Sequence, residues 1–238
     1  MSRKSFPKQY LTFGSKEKSS FLQITVNRIK SLINSDDPIF VCNEEHRFIT
    51  AEQIREIKIN PKSILIEPCS KNTAPAIATA ALHTFSEDDD PILLILPSDH
   101  LIKNHQAFLK SIEEARLTAL QGYIVTFGIK PNHPATGYGY IKSEEIFHEK
   151  AQKPYHIKEF IEKPEKELAE KYVKDKNYTW NSGIYMAKAS TIIKELEKFT
   201  PEINIHCKES LEKKIKDLDF ERLNKEAFEK CPEISIDK

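Results

Sequence analysis

Residues 91–102 read PILLILPSDHLI. Between two prolines stand five aliphatic residues with no alternation of polar and apolar. A strand of that kind is usually covered on both faces, as at the centre of a parallel sheet. It then runs into Ser98, Asp99 and His100. In open α/β sheets, ligands bind beyond the carboxyl ends of the strands. A carboxylate at this point is well placed to hold a divalent cation, which in turn binds phosphate oxygens. The residues alone leave a plainer reading open, in which Ser98 or Asp99 caps the next turn and His100 is structural.

Outward from this strand, short apolar runs alternate with longer amphipathic ones. "SSFLQITVNRIKSLI" puts Phe21, Leu22, Thr25, Val26, Ile29, Leu32 and Ile33 on one helical face. "PIFVC" is a short strand, and "TAEQIREIKI" a helix with Thr50 as its cap. "SILIEP" is a strand, and "NTAPAIATAALHTF" a helix with Pro75 near its first turn. "HQAFLKSIEEARLTAL" is helical and "YIVTFGI" a strand. The first 130 residues thus predict α-β-α-β-α-β-α-β, a doubly wound α/β sheet without the strand that should precede its first helix. Farther on, "GYGYIKSE", "YHIKEFIEKP" and "WNSGIYMA" read as strands. "EKELAEKYVKDK", "STIIKELEKF" and much of 201–230 read as helices. The expectation is one domain over 1–238, with a mostly parallel sheet and a mixed-sheet extension.

The bulk numbers narrow the function classes. Lys+Arg and Asp+Glu both number 36, so the formal net charge is zero. That argues against a general attraction to nucleic acid or an anionic membrane surface. No apolar stretch approaches the ~20 residues of a membrane span. Cys42, Cys69, Cys207 and Cys231 lie far apart, with no CxxC pair and no metal-ligand spacing of Cys and His. Free thiols in a cytoplasmic protein are expected. The six glycines make neither GxGxxG nor GxxxxGK[ST], so no backbone cradle for a nucleoside triphosphate is encoded.

Other segments carry candidate chemistry. In "EPCSKNTAPA", Lys71, Asn72 and Thr73 sit where helix N-terminal amides point outward, an arrangement that binds anions readily. An ordinary cap by Asn72 or Thr73 is the alternative. "FIEKPE" pairs Glu162 with Lys163 at a strand end. Such a pair is either a solvated surface pair or a division of labour, with Lys gripping a phosphate and Glu accepting from hydroxyls. Asn181 in "TWNSGIYM" offers a donor and an acceptor to a sugar hydroxyl. Gly137 and Gly139 in "ATGYGYI" let a ligand approach the backbone closely. Turn chemistry explains these last two segments equally well.

Taken together, "RKSFPKQYL", "EPCSKNTAPAIA", "LPSDH", "ATGYGYI", "FIEKP", "WNSGIY" and "CPEISID" stand in the order and approximate spacing of another group of proteins. The chain resembles the bacterial mannose-1-phosphate guanylyltransferases, of the kind often fused to a mannose-6-phosphate isomerase domain. The resemblance implies a Rossmann-like nucleotidyltransferase fold. It also implies transfer of a guanylyl group from GTP to mannose 1-phosphate with Mg²⁺. By motif, Arg3, Lys8, Lys71, Asn72 and Thr73 fall to nucleotide binding, and Lys8, Asp99 and Lys163 to catalysis. Asp99 and Asp237 fall to the metal, and Gly137, Glu162, Lys163 and Asn181 to the sugar phosphate. The nucleotide part would span about 1–135 and the sugar-phosphate part about 136–238. In the family an apolar strand and a loop of the type GGxGTRLWPL precede "SRKSFPKQYL", so the resemblance predicts a chain truncated at both ends, with impaired activity. A homo-oligomer, or a complementing chain that carries the absent segment, is the expected assembly. Two other functions stay open: a non-catalytic remnant or partner subunit, and a nucleotidyltransferase for another sugar 1-phosphate.

Overall fold

The predicted alternation of helices and strands is present in the structure, a computed structural model that describes residues 7–12, 19–32, 38–146, 148 and 153–237. Arg3, expected to touch a nucleotide, lies outside the described residues. Several helices begin where short polar side chains take up free amides of a first turn. α1 (Phe21–Ile29) opens with a capping box: Gln23 N–H donates to Ser20 Oγ, and Ser20 N–H donates to Gln23 Oε1. Strand β1 (Ile39–Asn43) and helix α2 (Arg47–Glu56) follow. Thr50 does not cap α2 but lies within it. Its hydroxyl donates back to the His46 carbonyl at 2.9 Å, a bond open to a mid-helix threonine, so the helix starts at Arg47. Next come β2 (Ser63–Glu67), α3 (Thr73–Thr84), β3 (Ile92–Ile95), α4 (His105–Leu120) and β4 (Val125–Ile129).

The second half contains β5 (Gly139–Ser143), β6 (Ile157–Glu162), α5 (Lys166–Lys174) and β7 (Tyr178–Lys188). After α6 (Ala189–Phe199) and α7 (Pro201–Glu212) comes a hairpin of β8 (Ile215–Asp217) and β9 (Phe220–Arg222), and then α8 (Lys225–Phe228). The sequence predicted helix through this hairpin. Its three-residue strands are too short to show a period, and only the pairing of β9 with β2 identifies them. Among the described residues no helix is long and apolar enough to cross a membrane.

Two sheets form. One has the order β1-β2-β9-β8, with β1–β2 and β2–β9 parallel. The other is arranged around β7 and is antiparallel throughout. The α/β class therefore stands, with parallel pairing confined, among the described residues, to the first sheet. β3 is covered on both faces as its composition requires: Leu93 and Ile95 pack under α3 and α6, and Ile92 and Leu94 pack under α4. Its partner is β7, however, and the pairing is antiparallel, from Ile92 opposite Lys188 to Ile95 opposite Tyr185. Covered faces say nothing about strand direction.

Helix α1 joins the sheets. Leu22 packs with Ile64 and Ile66 of β2, while Ile29 packs with the cluster that holds Ile92 and Leu94 of β3.

The geometry of β7 creates the site. Trp180 pairs with Ile129 of β4 and Tyr140 of β5, and Met186 pairs with Val125 of β4 and Leu94 of β3. A strand has two edges, so β3 and β5 share the edge opposite β4. β3 ends opposite Tyr185 and the β5 ladder resumes opposite Trp180. The stretch Asn181–Ile184 faces the break between them.

Candidate functional site

Four of the residues singled out in the sequence meet at this break. Asn181 leaves β7 with its amide engaged at every valence. Its Oδ1 accepts from the Thr126 hydroxyl at 2.9 Å and the Gly183 N–H at 3.2 Å. Its Nδ2 donates to the Tyr185 hydroxyl at 3.0 Å and to Asp237 Oδ2 at 3.5 Å. Glu162 arrives from the end of β6, and Lys163 Nζ lies 2.9 Å from its Oε1. Lys163 has φ of 47°, a left-handed conformation that a side chain rarely adopts. Its N–H donates to the Tyr138 carbonyl at 3.3 Å, which holds the turn. Such backbone strain clusters at functional positions.

Charge at the cluster is mixed. The hydrogen bond to Glu162 raises the Lys163 pKa first, followed by the Glu162 and Asp237 charges, so the ammonium stays charged. Burial pushes the Tyr185 hydroxyl up to about 12, and Asp237 and Glu162 push in the same direction. Tyr185 thus remains a neutral phenol beside two carboxylates.

Gly139 makes room for the cluster. A Cβ placed on it would lie 2.9 Å from both Glu162 Oε2 and the Phe160 ring, and 3.5 Å from Asn181 Cβ. Gly137, the glycine carried over by motif, stands in an exposed stretch with nothing within 4 Å of such a Cβ.

Asp99 lies just past β3, beside the same break: Pro97 Cγ is 3.5 Å from where a Cβ on Gly183 would sit. Lys8 Nζ reaches Asp99 Oδ2 at 3.4 Å, and both side chains are about half exposed. The loop is held from beneath by Arg28, a buried residue of α1 whose guanidinium donates to the His100 carbonyl at 2.8 Å and lies over Phe108. Burial keeps His100 neutral, with Asp99 opposing and Arg28 and Lys8 assisting.

At the start of α3, Asn72 has φ of 69°, and its Oδ1 accepts from Thr73 N–H at 2.9 Å. Lys71 Nζ donates to the Glu229 carbonyl at 2.7 Å. The Thr73 hydroxyl is bonded to the chain's last turn, through Ser235 Oγ at 3.1 Å and Ile236 N–H at 2.9 Å. Thr73 thus holds the segment that carries Asp237 and links this turn to the sugar-side cluster.

Among the described residues no group of three or more His, Cys, Asp and Glu side chains could hold a metal ion. The two carboxylates that flank the break each keep their own partners: Lys8 for Asp99, and Ser235 and Asn181 for Asp237. Mg²⁺ is usually held by one or two carboxylates, waters and substrate phosphates, and Asp99 and Asp237 are each donors of that kind.

Sequence reasoning passed over Thr126, Tyr185, Ser235 and Arg28. Thr126 carried a signal, as a hydroxyl inside the apolar run "YIVTFGI". The other three work through contacts that spacing does not reveal.

The nucleotidyl transferase family model matches residues 3–225. An Escherichia coli O157:H7 protein named mannose-1-phosphate guanylyltransferase 2 is 43% identical over 244 residues, covering 100% of this chain and 50% of its own length. The chain spans about half the length of the curated relatives it matches. A Helicobacter pylori structure described as a mannose-6-phosphate isomerase superposes with a TM-score of 0.85 at 33% identity, covering 99% of this chain and 88% of that one. A Thermus thermophilus structure described as a mannose-1-phosphate geranyltransferase gives 0.81 at 25% identity, covering 99% and 64%.

Proposed function

This chain belongs to the nucleotidyl transferase family, and from that premise we propose that it transfers a guanylyl group from GTP to mannose 1-phosphate, giving GDP-mannose and pyrophosphate. The observation that carries the reading is the convergence of Glu162, Lys163, Asn181 and Asp237 at the break along β7, tied through the last turn to Thr73. The names of the curated relatives support the choice of substrates.

In this reading a phosphate oxygen of mannose 1-phosphate attacks the α-phosphorus of GTP. A new P–O bond forms, the bond from that phosphorus to the β-phosphate oxygen breaks, and pyrophosphate leaves. The attacking oxygen is already ionised, so no general base is needed, and positioning and charge neutralisation dominate. Lys163 exchanges Glu162 for the sugar phosphate, and Glu162 turns to the sugar hydroxyls. Lys8 leaves its exposed pair with Asp99 for the triphosphate. Lys71, Asn72 and Thr73 border the nucleotide. Asp99 and Asp237 would hold Mg²⁺, which supplies neutralising charge to the phosphate oxygens. The four free cysteines support a reducing, cytoplasmic setting.

The test is to incubate the purified chain with GTP, mannose 1-phosphate and MgCl₂ and to follow GDP-mannose by anion-exchange chromatography. Product that requires all three is expected. Product from a different nucleotide or sugar 1-phosphate, but not from these, would overturn the specificity. No product with any pair, or conversion of mannose 6-phosphate alone, would overturn the transferase reading.

A further inference from the structure

The segment that carries Asp237 is tied to the start of α3 by three hydrogen bonds, and a fourth within the segment reaches the carboxylate. Ala74 N–H donates to the Ile234 carbonyl at 3.0 Å, and Ile236 N–H donates to Thr73 Oγ1 at 2.9 Å. The Thr73 and Ser235 hydroxyl oxygens are 3.1 Å apart. Ser235 Oγ makes a short contact with Asp237 Oδ1.

Counting protons fixes the direction of this chain. An ionised carboxylate only accepts, so the single Ser235 hydroxyl proton goes to Asp237. Ser235 Oγ must then accept from the Thr73 hydroxyl. Thr73 Oγ1 in turn accepts from the Ile236 amide. All three donors point one way, toward the carboxylate, and bonds aligned like this polarise one another. The other Asp237 oxygen faces Asn181 of β7. One oxygen is thus held from α3 and the other from the second sheet.

We infer that Thr73 and Ser235 are positioning residues for Asp237, and that their hydroxyl relay sets the carboxylate's orientation toward the cation. The inference deepens the proposed function and rests on Asp237 as a metal carboxylate. It gives Thr73 a task apart from any contact with the nucleotide. It also makes the turn that opens α3 and the metal site a single mechanical unit, so a nucleotide that shifts this turn also shifts Asp237. The sequence distance explains why spacing could not show it: Thr73 and Ser235 are 162 residues apart.

Mn²⁺ stands in for Mg²⁺ in the test, and its binding to the whole chain is followed by electron paramagnetic resonance without substrates. Asp237→Asn is the control for the underlying reading and should weaken binding. Ser235→Ala and Thr73→Val should each weaken it about tenfold, the scale on which partners of metal-ligating groups act. Ser235→Thr, which keeps the hydroxyl, should bind within twofold of wild type. Thermal midpoints separate a purely structural clip, which would lower stability and leave Mn²⁺ affinity alone. Unchanged affinity in Ser235→Ala and Thr73→Val beside a weakened Asp237→Asn would overturn the relay and leave the metal reading standing. A Ser235→Thr variant as weak as Ser235→Ala would also overturn it. Unchanged affinity in Asp237→Asn would remove both the metal carboxylate and the relay built on it. Should Ser235→Ala fail to fold, Thr73→Val carries the same comparison.

Discussion

The two sides of the candidate site are built differently. On the sugar side, Glu162, Lys163 and Asn181 stand on or directly after strands of one sheet, and Asn181 has no free hydrogen-bonding valence. On the nucleotide side, Lys8, Asp99 and Lys71 stand outside the sheet strands, and the lysine contacts are exposed there as that of Lys163 is on the sugar side. Such exposed pairs contribute little to stability, ~0–1 kcal/mol, so they exchange partners cheaply. A sugar phosphate would meet a prepared site, whereas a nucleotide would draw its contacts together on arrival. Asn181 belongs to the prepared side but acts indirectly: with its amide saturated, it orients Asp237 and Tyr185.

The largest effect should come from the one cation in the prepared cluster. Lys163→Ala removes a charged donor to phosphate, worth about 1.5–3 kcal/mol, so kcat/KM for mannose 1-phosphate should fall about 10- to 100-fold. Lys71→Ala touches the nucleotide side, where it also releases the Glu229 carbonyl, and with GTP saturating it should leave kcat/KM for mannose 1-phosphate within about threefold. Steady-state kinetics on the pair would break the comparison if the two losses were equal.

Next in size is the glycine pair. A methyl on Gly139 presses on the Glu162 carboxylate and the Phe160 ring, both 2.9 Å away. Gly139→Ala should raise KM for mannose 1-phosphate about tenfold, because contacts this close force displacement in a packed site. Gly137→Ala enters open space and should leave KM within twofold. The reverse ranking would return the site to the glycine that the motif selects.

This pair shows what the sequence could disclose. Motifs brought forward the segments that meet at the break, and among the described residues the alternation of apolar runs located the long helices and strands. They could not choose between glycines two residues apart, since that depends on which one a neighbouring strand covers. Strand direction was hidden as well: the apolar run of β3 declares two covered faces but not its antiparallel partner. Arg28, Tyr185 and Ser235 act through partners fixed only by folding.

A smaller effect is expected from Thr126, whose hydroxyl orients the Asn181 carbonyl. Thr126→Val keeps the shape and removes a hydroxyl whose one proton is shared between Asn181 Oδ1 and the Ile184 carbonyl, about 1 kcal/mol, or about a fivefold loss of kcat/KM. The loss should appear in kcat, since Asn181 is argued to act on Asp237 rather than on the sugar. A loss confined to KM for mannose 1-phosphate would make Asn181 a direct sugar ligand.

The smallest effect on turnover, and the one that sharpens the contrast from the nucleotide side, concerns Glu67. This residue ends β2 immediately before the turn that opens α3, yet its carboxyl faces inward, and among the described residues its buried Oε1 has no hydrogen-bond partner. Burial pushes its pKa from 4.5 up to about 7. With the folded pKa raised above the unfolded value, the native state holds the proton more tightly. The stabilisation from that proton is complete below about pH 4.5 and is lost as the pH rises through about 7. At pH 8 the native state carries an ionised buried carboxylate, and Glu67→Gln removes that cost. Each pKa unit is about 1.36 kcal/mol; discounted for the residue's partial exposure, the gain is about 2 kcal/mol. A domain of this size should then melt about 4 °C higher at pH 8, with no gain at pH 4.5, when followed by circular dichroism at both pH values. KM for GTP should not move, because the carboxyl is buried. A raised KM for GTP with an unchanged melting point would place Glu67 in the nucleotide site and give that side a buried, preformed contact of its own.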